Sequence, residues 1–138
     1  MNPNKAVIEA AFADLERGDG KRLWEAVADD VVWITPGHTA WSGTYRGKAN
    51  VMAQIFEPLW AQLEGRVTFR TERIVAEGDV VAVECRGRAV TKRGKAYNNS
   101  YCLIYRFAGG KIVELTEHMD TQLVEDVLDP PSRALARG

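Results

Sequence analysis

Residues 97–119 read YNNSYCLIYRFAGGKIVELTEHM, and the period of this stretch decides the fold. Tyr97, Asn99, Tyr101, Leu103, Tyr105 and Phe107 alternate with Asn98, Ser100, Cys102, Ile104 and Arg106, so the first set shares one face of a strand. Gly109-Gly110 marks a turn, after which Val113, Leu115, Glu117 and Met119 repeat the alternation, and the two runs read as an antiparallel hairpin. Each inward face is apolar except for one residue, Asn99 on the first strand and Glu117 on the second. An ionised carboxylate among such neighbours, without a partner, is penalised by desolvation and takes up a proton near neutral pH instead. General acids and bases are tuned in this way.

Upstream, Gly78-Asp79 and Arg93-Gly94 separate two further strands, Val67 to Glu77 and Val80 to Val90. In the second, Val81, Val83, Cys85, Gly87 and Ala89 form the core-facing set, while Glu84, Arg86 and Arg88 face outward. The first is not readable by parity, because Arg73 falls with Phe69 and Val75, and a bulge there would explain it. Helices come earlier. Val7, Ile8, Ala11, Phe12 and Leu15 make one helical stripe over residues 4–17, stopped by Gly18. Asp19 is positioned to cap a short second helix, which gives way at Asp29-Asp30 to a strand from Val31 to Thr35. After Pro36-Gly37, a loop from His38 to Arg46 leads into a third helix with Met52, Ile55, Phe56, Leu59 and Leu63 at helical spacing and a kink expected at Pro58. Asp120 or Thr121 is placed to cap a last helix ending before Pro130-Pro131. Helices followed by an antiparallel meander define an α+β class. One domain is expected over residues 1–128, with a loose tail over 129–138.

The chain has 138 residues, 46% of them hydrophobic, enough for one core that buries about two-thirds of the unfolded surface. A formal net charge of -1 gives no reason to expect nucleic acid or an anionic membrane as partner. The N-terminus lacks the apolar run of a signal peptide and no segment reaches the length of a membrane span, so a cytoplasmic location is expected. Cys85 and Cys102 have neither CxxC nor metal-ligand spacing and are read as reduced thiols. His118 has outward parity, so Glu114, Glu117 and His118 do not converge, and neither a metal nor another cofactor is expected.

The order of elements and several local motifs resemble the nuclear transport factor 2-like superfamily, and within it the SnoaL-like polyketide cyclase branch. The matching stretches are Gly18-Asp19, Asp29 to Trp33 followed by Pro36-Gly37, Tyr45-Arg46-Gly47, Glu77 to Val80, Gly94 to Asn98, Gly110-Lys111-Ile112, and Glu117 to Asp120. The resemblance implies a cone-shaped barrel in which a curved, mainly antiparallel sheet wraps a long helix and leaves a deep cavity open at one end. It also implies a homodimer. Most of the catalytic apparatus of such families has no counterpart here. The steroid isomerases' aspartate before the strand-ending proline falls on Thr35. Their tyrosine falls near Ala11 or Phe12, and their protonated aspartate on Leu103. The Arg and Asp of the limonene epoxide hydrolase type fall about Val83 and Cys85. One position is kept: the carboxylate three residues before the aspartate that ends the last strand, here Glu117.

The predicted catalytic pair is therefore Glu117 as acid or base and Asn99 as a donor, with Tyr101 as the alternative donor. Ligand contacts are assigned to Trp33, Trp41, Phe56, Trp60, Cys85 and Tyr101, a mostly apolar pocket of the small-molecule kind. Cys85 has no predicted base or helix N-terminus beside it and is read as packing rather than as a nucleophile. Other readings stand beside these: Glu117 bound to a buried arginine such as Arg73 or lying at a wet rim, and Asn99 serving a loop backbone. Two functions follow. One is an acid/base isomerase, aldol-type cyclase or hydratase acting on a small apolar carbonyl compound; the other is a binder or carrier of a hydrophobic metabolite. Outward Cys102, Ile104 and Ile112, rimmed by Glu84, Arg86, Arg88, Arg106 and Glu114, give the homodimer a candidate contact face.

Overall fold

Asn2 starts the first helix: its side chain accepts from the backbone N–H of Asn4 and Lys5, and Pro3 stands where a helix needs no N–H donor. In the computed structural model, which describes residues 2–132, helix α1 runs Pro3–Leu15 and buries Ile8, Ala11, Phe12 and Leu15. Gly18 ends this segment at φ 79°, a conformation glycine adopts without a side-chain clash. Helix α2 (Lys21–Ala26) follows, with Asp19 Oδ1 accepting from the Lys21 N–H.

The strands are β1 (Val27–Thr35), β2 (Gly43–Arg46), β3 (Leu63–Glu77), β4 (Val80–Thr91), β5 (Ser100–Ala108) and β6 (Lys111–Met119). They form one curved, unclosed sheet in the order β2-β1-β6-β5-β4-β3. Only the β1–β6 pair is parallel; the others are antiparallel, and α1 packs across β3 and β4 on the concave side. The α+β class, the turns at Gly78, Gly94 and Gly109-Gly110 and the mainly antiparallel sheet agree with the sequence reading.

Bulges account for three departures from simple parity. Thr71 pairs with Cys85 but Arg73 pairs with Glu84, so one extra residue sits between them and the inward set changes from Phe69 to Ile74 and Ala76. Arg73 consequently lies outside, bound to Glu84 at 2.6 Å. A second shift, between Arg106 and Phe107, turns Ile112 inward to pair with Phe107. Ile112 is fully buried in the core and is not part of the outer face, contrary to the sequence expectation. A third irregularity between Val27 and Val32 lets β1 begin before Asp29-Asp30 rather than after them.

The third helical segment also differs. It comprises α3 (Lys48–Val51), a π-helical stretch Met52–Phe56 and α4 (Glu57–Trp60), and Leu63 belongs to β3 instead. Pro58 has no N–H to give to the carbonyl four residues back, and the helix widens just ahead of it rather than simply bending. Helix α5 (Thr121–Val127) is capped by Asp120, which accepts from Gln122 and Leu123. The expected tail falls partly outside the described residues, at 133–138. Its first residue is fixed, because the backbone of Asp129 exchanges two hydrogen bonds with the Gln62 amide. Among the described residues, no helix is long and apolar enough to cross a membrane.

Candidate functional site

The concave side of the sheet, α1, α2 and the Lys48–Trp60 segment enclose a cavity of about 640 Å³. That volume falls within the roughly 300–1,000 Å³ usual for small-molecule sites. Its walls are apolar and aromatic: Phe12 from α1, Trp24 from α2, Met52 and Phe56 from the third helical segment, Leu103 and Tyr105 from β5. Val124 and Leu128 close one side from the C-terminal helix.

Glu117 lines this cavity, projecting from β6 on the same face as Leu115 and Met119. The parallel β1–β6 register places Trp33 opposite Leu115 and Ile34 opposite Thr116, so Trp33 and Thr35 reach the carboxylate from the adjoining strand. Trp33 Nε1–H donates to Glu117 Oε1 at 2.8 Å, and the Thr35 hydroxyl donates to the same oxygen at 3.1 Å. Oε2 has no hydrogen-bond partner among the described residues and is left to the cavity. Among the described residues no cation pairs with the carboxylate, and Arg73 is committed to Glu84 on the outer face. Burial pushes the Glu117 pKa above the ordinary glutamate range, and the Trp33 and Thr35 hydrogen bonds pull it only partly back.

Tyr101 lines the cavity from β5 next to Phe69, with ring centroids 5.7 Å apart. Gly87 makes room for it: a Cβ there would stand 3.0 Å from Tyr101 Cε2. Burial raises the pKa of Tyr97, Tyr101 and Tyr105, and the nearby Glu117 charge adds to each shift. The phenols therefore stay protonated at neutral pH.

Of the residues singled out from sequence, Trp33, Trp41, Phe56, Trp60, Tyr101 and Glu117 converge on this cavity. Asn99 and Cys85 are not among its lining residues. Asn99 is 1% exposed and its amide is fully occupied: Nδ2 donates to Tyr97 Oη and the Asp120 carbonyl, while Oδ1 accepts from the Ser100 and Asp120 N–H groups. It ties the start of β5 to the end of β6, and its backbone lies just outside the strand that parity placed it in. Cys85 packs in the core as the cross-strand partner of Tyr101, its thiol pKa pushed up to about 12 by burial, which leaves it inert. Trp41 presents its ring to the cavity and gives its Nε1–H to the Asp129 carbonyl at 3.1 Å. Trp60 is half exposed, at the cavity's edge. Sequence reasoning missed Thr35 as a partner of Glu117, although it shares parity with Trp33. It also missed Trp24, Tyr97, Lys21 and Arg66 as lining residues.

Residues 8–115 match the family model for the SnoaL-like domain. An uncharacterised protein of Mycobacterium tuberculosis is 33% identical over 113 residues, covering 80% of this chain and 84% of the relative. Among solved structures, an NTF2-like protein of Burkholderia thailandensis superposes with a TM-score of 0.78 at 24% identity, covering 94% of this chain and all of that one. TerC, co-crystallised with polyporic acid, superposes with a TM-score of 0.75 at 21% identity, covering 91% of this chain and 98% of its own.

Proposed function

The chain belongs to the SnoaL-like domain family, with the nuclear transport factor 2-like fold, and from that premise we propose that it is an acid/base enzyme of the isomerase, aldol-type cyclase or hydratase kind. Its substrate is a small, largely apolar carbonyl compound, and Glu117 is the acid/base residue. One observation carries this reading. Glu117 Oε1 is fixed by two donors, Oε2 has no hydrogen-bond partner among the described residues, and the residue lines an apolar cavity with no cation paired to it among them. Such an oxygen is oriented, and burial makes it more basic than an ordinary glutamate's.

In the reaction, Oε2 removes a proton from the carbon next to the substrate carbonyl. The electron pair of the broken C–H bond moves onto the carbonyl oxygen. A protonated phenol, that of Tyr101, gives a hydrogen bond to the developing enolate oxygen. Return of the proton to a different carbon gives an isomer; attack of the enolate carbon on a second carbonyl of the same molecule closes a ring, and the alkoxide formed from that carbonyl takes the proton back from Glu117. Asn99, spent on the Tyr97 hydroxyl and on backbone groups, is given no part. The crystallisation of TerC, of the same fold, with polyporic acid supports reading the cavity as a place for small organic molecules.

The test is hydrogen–deuterium exchange in D2O on whatever metabolite native mass spectrometry finds retained by the purified protein. The wild type is expected to exchange protons next to the carbonyl. Glu117→Gln should lose about 10²- to 10⁴-fold of that rate while keeping the ligand. A ligand that is held but never exchanged would favour the carrier reading. Exchange unaffected by Glu117→Gln would refute the role of this residue.

The protein is further proposed to act as a homodimer joined through the outer face of the sheet. Ile34, Thr116, Ile104, Ala82 and Val75 are successive cross-strand neighbours, a largely apolar row running over five strands. Arg73–Glu84 and Arg106–Glu114 ion pairs flank it. An apolar centre rimmed by charges of both signs is self-complementary under a two-fold axis.

A further inference from the structure

The cavity has two chemically different ends. Its inner end holds Glu117, whose charge, when present, repels a second anion. Its outer end is marked by the lining residues that are themselves exposed: Lys21, Trp60, Gly65 and Arg66. Lys21 opens α2, and Arg66 stands at the start of β3. The two segments meet there, because Arg66 Nη1 donates to the Gly18 carbonyl at 3.2 Å and a Cβ on Gly18 would touch the Arg66 stem at 3.1 Å. Asp19 is the one carboxylate among the cavity-lining residues at this end, and its Oδ1 already accepts from the Lys21 backbone. Neither Lys21 nor Arg66 has an ion-pair partner among the described residues, whereas Arg17, Arg22, Arg70, Arg73, Arg86, Arg93 and Arg106 each have one.

Aromatic rings connect the two ends. Trp33, the donor to Glu117, meets Phe56 edge-on at 5.5 Å, and Phe56 meets Trp60 at 5.6 Å with the planes tilted by 35°. Trp60 is 50% exposed, so this run of rings reaches the solvent. A flat apolar molecule lying along it has one edge toward Glu117 and the other at the exposed end of the cavity.

We propose that the ligand is an aromatic acid, a flat ring system whose carboxylate or other anionic group stays at the mouth with Lys21 and Arg66 while its far end faces Glu117. The proposal rests on the cavity reading given above and adds polarity and orientation to it. The two rim cations act as specificity determinants and take no part in proton transfer.

A matched pair of fluorescent probes tests it: 8-anilinonaphthalene-1-sulfonate and its uncharged counterpart N-phenyl-1-naphthylamine, which share a ring skeleton and differ by one sulfonate. The wild type is expected to bind both at one site, each displacing the other, with the sulfonate about three- to tenfold tighter, the scale of two partly exposed charge contacts. Lys21→Gln/Arg66→Gln should erase that margin, as should 0.5 M salt, through screening. The uncharged probe serves as the control, and its unchanged affinity in the double variant reports an intact cavity. Equal binding of the two probes by the wild type, or a margin that survives the double variant, would overturn the proposal while leaving the cavity reading standing. Failure of both probes to bind the wild type would overturn the cavity reading and the proposal together.

Discussion

Thr35→Val isolates the contribution of one hydroxyl to the state of Glu117. The substitution keeps the branched shape of a residue that is 6% exposed and removes only the donor 3.1 Å from Oε1, leaving the Trp33 indole in place. A hydrogen bond to an ionised group is worth about 1.5–3 kcal/mol, and one between neutral groups about 0.5–1.5 kcal/mol. The variant should therefore lose about 1–2 kcal/mol more stability where Glu117 is ionised than where it is protonated. Burial raises the folded pKa of Glu117, so the group opposes folding increasingly as pH rises from its unfolded pKa toward its folded one. Removing a donor to the charged form raises the folded pKa further and widens that loss. Urea denaturation at pH 4 and pH 8, compared with wild type, should show a deficit that grows with pH, as a shift in midpoint at constant slope. The gain or loss from placing a methyl group in the core is common to both pH values and cancels in the comparison. A deficit equal at the two pH values, or larger at pH 4, would refute the claim that Thr35 stabilises the ionised carboxylate.

Asn99→Ala should cost on the order of 3 kcal/mol, because it strands buried backbone groups of Ser100 and Asp120 that the amide satisfies. The thermal midpoint should fall, while the exchange rate per folded molecule stays near that of wild type; selective loss of the chemical step would return Asn99 to the catalytic group. Ile104→Glu puts a carboxylate at the centre of the apolar row on the outer face and, if that row joins two subunits, should shift a dimer toward monomer in light scattering at micromolar concentration. A wild type that is monomeric under the same conditions would remove the dimer.

The hairpin of residues 97–119 was legible because strand parity is a strict rule and both inward faces are almost purely apolar. Glu117 stands out for the same reason, as one carboxylate in an apolar row, and its position there follows from parity alone. Parity fails where an extra residue intervenes. Arg73 and Ile112 were unreadable or misread because each lies beside a bulge, and a bulge leaves no mark in composition. Asn99 stands apart from the cavity for a different reason. Its alternation with Tyr97 and Tyr101 is that of a strand, yet a short amide next to a strand end is equally suited to bonding the backbone, and only the position of Asp120 decides between these. Thr35 and Lys21 meet the cavity through the β1–β6 pairing and the contact of the turn between α1 and α2 with β3, contacts between segments far apart in the chain that local pattern does not encode.

A glutamate held in an apolar cavity by two neutral donors and, among the described residues, by no cation is best tested by carbon-detected NMR titration of the Glu117 side-chain carboxyl. The geometry predicts a midpoint above the roughly 4.3 of a free glutamate, rising further in Thr35→Val. A midpoint at or below that value would mean that water or a cation reaches the carboxylate, and it would contradict the account of the site.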